Sequence, residues 1–364
     1  MTRIGIIGTG DISAAYLRAA RDLHLFEVAA ITDLDTARAE ARGAEFGVPV
    51  LGLDALLARE DLVAVVNLTP PAAHAAVTLD ILAAGRHAYS EKPLAVTLDD
   101  GMRVLQAART AGRRVGCAPD TFLGAGLQTV RAAIDGGLIG RPVAATAFFM
   151  GSGPESWHPN PAFFYQPGAG PLFDMGPYYL TALVNLLGPV TRVSGSAVSA
   201  FTERVAGHES RRGERIAVHT PTHVTAQLQL GGVPCTFIAS FDVPGSEVPR
   251  IEIYGTEATI SVPDPNTFGG PVRICRLGTR TWEELPVTRP YAENSRGIGL
   301  ADLLSAAERG EAHRASGDLA YHVLEVMHRV LESADAGQPL DVHSRPERPA
   351  ALPEQPEWLQ AVTR

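Results

Sequence analysis

The chain has 364 residues, three cysteines, a single lysine and no long apolar segment. The cysteines, at positions 117, 235 and 275, are too few and too far apart for a disulfide framework or a zinc site, so we expect a reducing compartment and no metal. No stretch approaches the roughly 18 apolar residues of a membrane span, and residues 1–10 lack the pattern of a signal peptide. We therefore expect a cytoplasmic protein with no membrane partner.

An excess of positive charge is also missing. Lysine and arginine number 31 against 40 acidic residues, which gives a formal net charge of −9. A chain with this balance has no basic surface to neutralise phosphates, so nucleic acid is not an expected partner. Apolar residues make up 45% of the chain, which is enough for a packed core, and the length is typical of two domains.

The single lysine, Lys92, lies in the stretch of residues 87–93. Arginine supplies every other basic side chain, so Lys92 is expected to do something that arginine cannot. Lysine carries a compact ammonium whose pKa responds to burial and to nearby charges, whereas arginine presents a planar fork and stays protonated. The position of Lys92 at a strand end, directly before Pro93, favours a chemical role in a cleft over a surface role.

The first apolar run ends in a glycine-containing turn. Residues 4–7 are followed by Gly8, Gly10, Asp11, Ile12 and Ser13, and then by an expected helix over residues 14–23. Glycines at such a turn let the backbone approach a pyrophosphate, and the helix N-terminus holds its charge. Ser13 replaces the third glycine of the dinucleotide fingerprint and is small enough to keep the helix close to the strand.

An acidic residue follows at the spacing that this fingerprint requires. Asp33 ends the next apolar run, residues 28–32. A carboxylate there accepts hydrogen bonds from ribose hydroxyls and repels a 2′-phosphate, so the sequence favours NAD over NADP. Arg38 opposes that preference, and a plain turn residue is the alternative interpretation of Asp33.

Two further strand ends are expected at the same edge of a parallel α/β sheet. The strand over residues 63–68 stops at Thr69 and Pro70, with His74 in the next helix, and the strand over residues 87–90 stops at Glu91 and Lys92. His74 also fits a structural role at a helix start. The predicted cofactor-binding residues are Gly8, Gly10, Asp11, Ile12, Asp33, Arg38, Thr69, Pro70, His74, Glu91 and Lys92.

With the glycine turn, the acidic second strand, Thr-Pro-Pro-x-x-His from Thr69 and Glu91-Lys92-Pro93 in this order, the chain resembles the Gfo/Idh/MocA oxidoreductases. The resemblance implies an α/β protein with an N-terminal Rossmann domain, a doubly wound parallel sheet. It implies a C-terminal α/β domain with a large open, mainly antiparallel sheet that carries the substrate and the contacts of a homo-oligomer. It also implies that Lys92 lies near nicotinamide and substrate, with a cis peptide to Pro93.

The alternating pattern ends after Phe122, where we place the boundary between domains 1–122 and 123–364. From residue 192 onward the pattern is rich in strands joined by tight turns, which predicts an antiparallel sheet. The charged segment 207–215 is expected to be a mobile loop. Two helices and a tail after Gly337, expected to cross the surface or a partner, complete the chain.

Two stretches of the second half are candidates for binding substrate. Trp157, His158 and Asn160 lie in a proline-rich loop, although Trp157 alternatively covers the core. Asp174 and Tyr178 are four residues apart, so they share one face at the N-terminal end of a helix that begins near Asp174. A helix cap is the alternative role for Asp174.

The second stretch departs from the family motif Asp-x-Gly-x-His-x-x-Asp. Asp174 and Gly176 are kept, Tyr178 replaces the family's catalytic histidine, and Thr181 replaces the second acidic residue. Three routes stay open: Tyr178 takes the proton, His158 supplies an imidazole, or oxidation is no longer the net reaction. Lys92 close to Tyr178 would favour the phenolate.

These observations predict an NAD-dependent dehydrogenase of a sugar, sugar derivative or cyclitol. Lys92 would bind and polarise the reacting oxygen, and Asp174, Tyr178 and His158 would orient or deprotonate it. Trp157 and Asn160 complete the predicted substrate site. A redox-neutral enzyme with retained NAD, which performs elimination, epimerisation or glycoside cleavage, is one alternative. A regulatory NAD-binding protein without turnover is the other.

Overall fold

A computed structural model describes residues 1–356 and Trp358. The N-terminal part is a five-stranded parallel sheet in the order β2-β1-β3-β4-β5 with helices between its strands. Its elements are β1 (Arg3–Ile7), α1 (Ser13–Leu23), β2 (Glu27–Thr32), α2 (Thr36–Phe46), α3 (Leu53–Leu57), β3 (Ala64–Asn67), α4 (Pro71–Ala83), β4 (His87–Ser90), α5 (Leu98–Ala111) and β5 (Val115–Cys117).

Local sequence signals explain where these helices begin and end. Asp35 caps α2 by accepting a hydrogen bond from the Arg38 amide at 3.1 Å. Thr97 caps α5, where its hydroxyl accepts a hydrogen bond from the Asp100 amide. Both helices end at glycines in the left-handed conformation, which costs glycine little.

Strand register brings the predicted cofactor residues to one edge of this sheet. Ile7, the last residue of β1, pairs with Thr32 of β2 and with Asn67 of β3. The amide of Glu91, just after β4, donates to the Asn67 carbonyl at 2.8 Å. The residues that follow β1, β2, β3 and β4 therefore line the crevice at the carboxyl ends of the strands, where parallel α/β sheets bind their ligands.

The rest of the chain is built around a nine-stranded sheet in the order β15-β14-β13-β12-β6-β11-β10-β7-β16, in which only β6 and β11 run parallel among the described strands. This mainly antiparallel sheet confirms the predicted fold class. The elements are α6 (Ala125–Asp135), β6 (Pro142–Met150), α7 (Gly170–Leu187), β7 (Val190–Val198), β8 (Glu203–Val205), β9 (Arg215–Ala217), β10 (His223–Leu230), β11 (Val233–Ser240), β12 (Ile251–Gly255), β13 (Ala258–Val262), β14 (Val272–Arg276), β15 (Glu283–Leu285), α8 (Ile298–Arg309), α9 (Gly317–Ala336) and β16 (Leu340–Asp341).

Helix α7 lies in the core between this sheet and α9. Nearly all of its residues are buried, including Leu172, Leu180 and Leu183. Each fully buried side chain of this size contributes about 1.5–3 kcal/mol of transfer free energy, so the helix is a rigid support for the polar side chains at its N-terminal end.

Helix α7 begins earlier than expected. It starts at Gly170, whose φ of +85° and close approach to the Pro221 carbonyl exclude other residues, and Pro171 occupies its first turn. Asp174 therefore lies one turn inside the helix. The interpretation of Asp174 as a helix cap is wrong, because the glycine and proline already end the preceding loop.

The segment 207–215 connects two short strands. Strands β8 and β9 pair as an antiparallel ribbon on either side of it. Arg204 anchors the ribbon by ion pairs with Glu155 and Asp242, and all three side chains are largely buried. Most of the segment between the two strands is exposed, and its mobility stays a prediction.

The last two helices also contact the N-terminal sheet. Ser316, just before α9, forms an antiparallel bridge with Gly116 of β5, and the Cys117 amide donates to the Ala315 carbonyl at 3.0 Å. The domain boundary after Phe122 stays a prediction. The tail crosses the surface as β16, which pairs with β7, and continues to the buried Leu352. No helix among residues 1–356 is long and apolar enough to cross a membrane.

Candidate active site

The turn after β1 is shaped for a dinucleotide. Gly8 has a φ of +99°, and a Cβ atom there would lie 2.6 Å from the Leu68 carbonyl oxygen, so only glycine fits. A Cβ atom on Gly10 would meet nothing within 4 Å, which leaves open space in front of the backbone. Ile12 precedes α1 without a side-chain cap, and Asp11 is exposed. These residues fit a pyrophosphate at the helix N-terminus.

Ser13 explains how the turn works without a third glycine. Its hydroxyl donates to the Gly10 carbonyl at 2.6 Å, and the side chain is fully buried. The hydrogen bond closes the turn from inside, so the bulk of serine does not push α1 away from the sheet.

Asp33 is held ionised at the end of β2. Its carboxylate accepts hydrogen bonds from the Thr9 amide and hydroxyl, at 2.6 and 2.9 Å, and from Arg38 at 2.7 Å. Partial burial alone would raise the pKa of Asp33, but the hydrogen bonds from Arg38, Thr9 and the Asp35 amide outweigh it and lower the pKa to about 2. Arg38 is half-exposed, whereas the Asp33 side chain with which it pairs is mostly buried.

His74 joins two strand ends. It is 1% exposed, and its ring nitrogens lie 2.6 Å from the Pro93 carbonyl oxygen and 2.7 Å from that of Thr69. Desolvation lowers the pKa of this ring. The contacts fit the structural alternative for His74, while Thr69 is half-buried and Pro70 exposed at the same edge.

Glu91 points into the protein. Its carboxylate accepts a hydrogen bond from the buried Tyr16 hydroxyl at 3.0 Å and from the Lys92 amide at 3.2 Å. This side chain therefore ties β4 to α1, and its predicted contact with the cofactor has no support from these bonds.

Lys92 is the centre of the site. Its Nζ atom donates to the Asp174 carbonyl oxygen at 2.6 Å and to the Asp174 carboxylate at 2.8 Å, and lies 5.1 Å from the centre of the Tyr178 ring. Desolvation alone would lower the pKa of Lys92, but the Asp174 carboxylate and the Tyr178 oxygen outweigh it and raise the pKa. The peptide between Lys92 and Pro93 is cis, as the resemblance implies.

The structure thus brings Lys92, Asp174 and Tyr178 together across 82 residues of sequence. Pro177 sits inside α7 and has no N–H to donate to the carbonyl four residues earlier, which lies next to the carbonyl that Lys92 contacts. Side chains at positions 174 and 178 share a helix face, as predicted from their spacing.

The proline-rich loop forms a separate aromatic cluster. The His158 ring packs at 5.3 Å from Trp157 and at 5.1 Å from Phe164, and its Nδ1 accepts a hydrogen bond from the Asn160 amide at 3.0 Å. Trp157 is 63% exposed, so it does not cover the core. Among the described residues, His158 contacts Trp157, Phe163, Phe164 and Asn160 but not Lys92. A role of His158 in binding substrate stays a prediction.

Arg296 is a site residue that sequence reasoning missed. It lies just before α8, is 7% exposed, and places its guanidinium carbon 6.0 Å from the centre of the Tyr178 ring. No local signal marks it, because an arginine in a polar loop between a strand and a helix is ordinary. Only the fold carries this loop to the cleft.

Fold and site together define a two-domain dinucleotide-dependent oxidoreductase. Residues 2–118 match the family described as an oxidoreductase family with an NAD-binding Rossmann fold. Residues 127–261 match the GFO/IDH/MocA C-terminal domain. The chain belongs to the Gfo/Idh/MocA oxidoreductases. It is an NAD-binding dehydrogenase that acts on CH–OH groups.

Named relatives agree with this assignment. The chain is 29% identical to a dTDP-3,4-didehydro-2,6-dideoxy-alpha-D-glucose 3-reductase of Streptomyces antibioticus, over 84% of this chain and 97% of the relative. It is 32% identical to the enzyme of the same name from Streptomyces violaceoruber, over 67% of this chain and 70% of that relative. The structure of levoglucosan dehydrogenase in complex with NADH and L-sorbose has the same fold, with a TM-score of 0.80 and 20% identity over 94% of this chain and 99% of that one.

The position of Asp33 predicts a preference for NAD over NADP. A 2′-phosphate would lie against an ionised carboxylate, so we expect NAD to bind at least about 10-fold more tightly, and Asp33→Ser to narrow that ratio. Titration of both dinucleotides by quenching of intrinsic fluorescence measures it. Asp35→Ser is the matched control, because serine preserves the cap of α2 and the ratio should not change. Tighter binding of NADP by the unaltered protein would contradict the prediction.

Proposed function

We propose that the protein uses NAD to oxidise a secondary hydroxyl group of a sugar, sugar derivative or cyclitol, or reduces the corresponding ketone. The observation that carries this proposal is the arrangement of Lys92. An ammonium has three hydrogens to donate. Two of them point to oxygens of Asp174, which leaves one for an oxygen of the substrate.

The charge of Lys92 decides what this hydrogen bond does. Because its pKa is raised, the side chain stays an ammonium at the pH of the reaction. A fixed positive charge stabilises the alkoxide character that develops as a carbinol is oxidised, and it polarises a ketone in the reverse direction. Asp174 holds the ammonium from one side, so the lysine is oriented before substrate arrives.

NAD supplies the acceptor for the hydride that leaves the carbinol carbon. Gly8, Gly10 and the start of α1 would hold its pyrophosphate, and Asp33 its ribose. The chain itself must take the hydroxyl proton. Tyr178 is the candidate that the geometry supports, since its ring lies beside Lys92 on the same helix face as Asp174.

The identity of the substrate rests on the relatives. Two of them are named as reductases of a deoxyglucose linked to dTDP, and another protein with this fold is named levoglucosan dehydrogenase. These names support a carbohydrate, and the charged and hydroxyl groups around Lys92 are suited to several neighbouring hydroxyls. Assembly as a homo-oligomer through the nine-stranded sheet and a cytoplasmic location are further proposals, supported by the family resemblance and by the few cysteines.

A direct assay separates net oxidation from redox-neutral chemistry. Sugars and cyclitols are offered with NAD, and NADH is followed at 340 nm while the product is identified by NMR. Net oxidation produces one NADH for each ketone. Product that forms without a matching amount of NADH would replace this proposal by the redox-neutral alternative.

Lys92→Arg is expected to fold normally and to lose turnover by about 100-fold or more. The larger planar guanidinium keeps the charge but displaces the reacting oxygen. Turnover with the best substrate measures the loss, and thermal unfolding confirms the fold. Arg103→Lys, on α5 with a side chain 67% exposed, makes an arginine–lysine exchange away from the site and should change neither. Near-normal turnover of Lys92→Arg would reduce Lys92 to a structural residue.

Tyr178 and His158 differ in the pH dependence that each would give as the base. If Tyr178 takes the proton, oxidation rises through an alkaline limb that Tyr178→Phe removes, while binding of NAD changes little. If His158 takes it, the controlling limb lies near the usual histidine value of about 6.5, and His158→Asn costs orders of magnitude. Profiles of kcat from pH 5 to 11 on both variants decide between them. Substantial activity in both would move the role to Asp174.

A further inference from the structure

Arg296 carries a buried charge with few hydrogen bonds. Among the described residues, its Nε and Nη1 atoms have no hydrogen-bond partner. Its nearest carboxylate is Asp120, with 3.6 Å between Nη1 and Oδ1, and that oxygen also lacks a hydrogen bond. Burial alone would lower the pKa of Arg296, but Tyr178, Glu91 and Asp120 outweigh it and raise the pKa. Attraction to groups around the site therefore holds this charge, and Tyr178 is one of them.

The guanidinium instead faces aromatic rings. Its central carbon lies 6.0 Å from the centre of the Tyr178 ring and 5.7 Å from that of Phe268. Lys92 contacts the same Tyr178 ring at 5.1 Å. The Tyr178 ring therefore lies close to two cations: Lys92, which follows β4 of the parallel sheet, and Arg296, which lies between β15 and α8.

The other charged and titratable groups around Tyr178 and Arg296 have partners of their own. Glu91 accepts from Tyr16 and from the Lys92 amide, Asp174 accepts from Lys92, and Asp120 accepts through Oδ2 from Gly297 and Gly299 at 2.7 and 3.1 Å. Burial raises the pKa of Asp120, while the charge of Arg296 and the amides of Gly297 and Gly299 act in the opposite direction.

We propose that Arg296 is a positioning residue that favours the phenolate form of Tyr178 and thereby prepares it to take the substrate proton. This inference rests on the proposed function, in which Tyr178 is the base. Lys92 fixes the substrate oxygen and is committed to Asp174, whereas Arg296 pairs with Asp120 only at 3.6 Å and also faces the ring. For a unit charge at about the 6.0 Å that separates the guanidinium carbon from the ring centre, an effective dielectric constant of about 20 changes an ionisation by about one to two pH units.

The test is to follow the ionisation of Tyr178 directly, in protein that contains neither cofactor nor substrate. Tyrosine labelled with ¹³C at Cζ gives one resonance for each tyrosine, and Tyr178→Phe identifies the resonance of Tyr178. Arg296→Met should move the midpoint of its titration up by about one to two pH units. Arg296→Lys keeps the charge and should leave the midpoint close to that of the parent protein. Asp120→Asn should move the midpoint down. The alkaline limb of kcat should shift in parallel.

Arg131→Met is the matched control, because Arg131 is equally buried but contacts Asp135 and Asn185 away from the site. It should leave the Tyr178 midpoint in place. Arg296→Gln replaces Arg296→Met if the latter does not fold. A folded, uncharged variant with a midpoint within half a unit of the parent overturns the inference. Failure of the proposed function looks different: Tyr178→Phe then keeps turnover, whatever Arg296 does to the resonance.

Discussion

The ion pair between Lys92 and Asp174 is the interaction on which the site depends. It joins the end of β4 in the parallel sheet to helix α7 beside the second sheet, and both side chains are mostly buried, at 17% and 26% exposure. Either charge alone would be costly at this depth, but together they satisfy each other, and the Asp174 carbonyl adds a second acceptor. The two halves of the active site are thereby aligned with each other.

Rigid surroundings make this ion pair useful for chemistry. Helix α7 is surrounded by the core on nearly every side. His74 joins the segment after β3 to the segment after β4 through the Thr69 and Pro93 carbonyls. A charge that is already oriented does not need to reorganise during the reaction, which is how enzymes gain most from electrostatic stabilisation.

Much of the fold could be predicted from local patterns. The helix expected over residues 14–23 is found at Ser13–Leu23 and the strand over residues 87–90 has the expected bounds, because a glycine turn and short apolar runs mark them. The start of α7 and the ribbon of β8 and β9 could not be predicted in this way. A Gly-Pro pair signals a loop as readily as a helix start, and the ribbon is held by Arg204 through Glu155 and Asp242, which lie far away in sequence.

The sequence by itself predicted the cofactor edge and singled out Lys92. A glycine turn, an acidic strand end and a lone lysine carry their meaning within a few residues, because backbone conformation and side-chain chemistry are local properties. Only the tertiary structure decided what Lys92 contacts, that His158 belongs to an aromatic cluster, and that Arg296 reaches Tyr178. Distances between charges depend on how two sheets and their connecting loops pack together, and no local pattern records that packing.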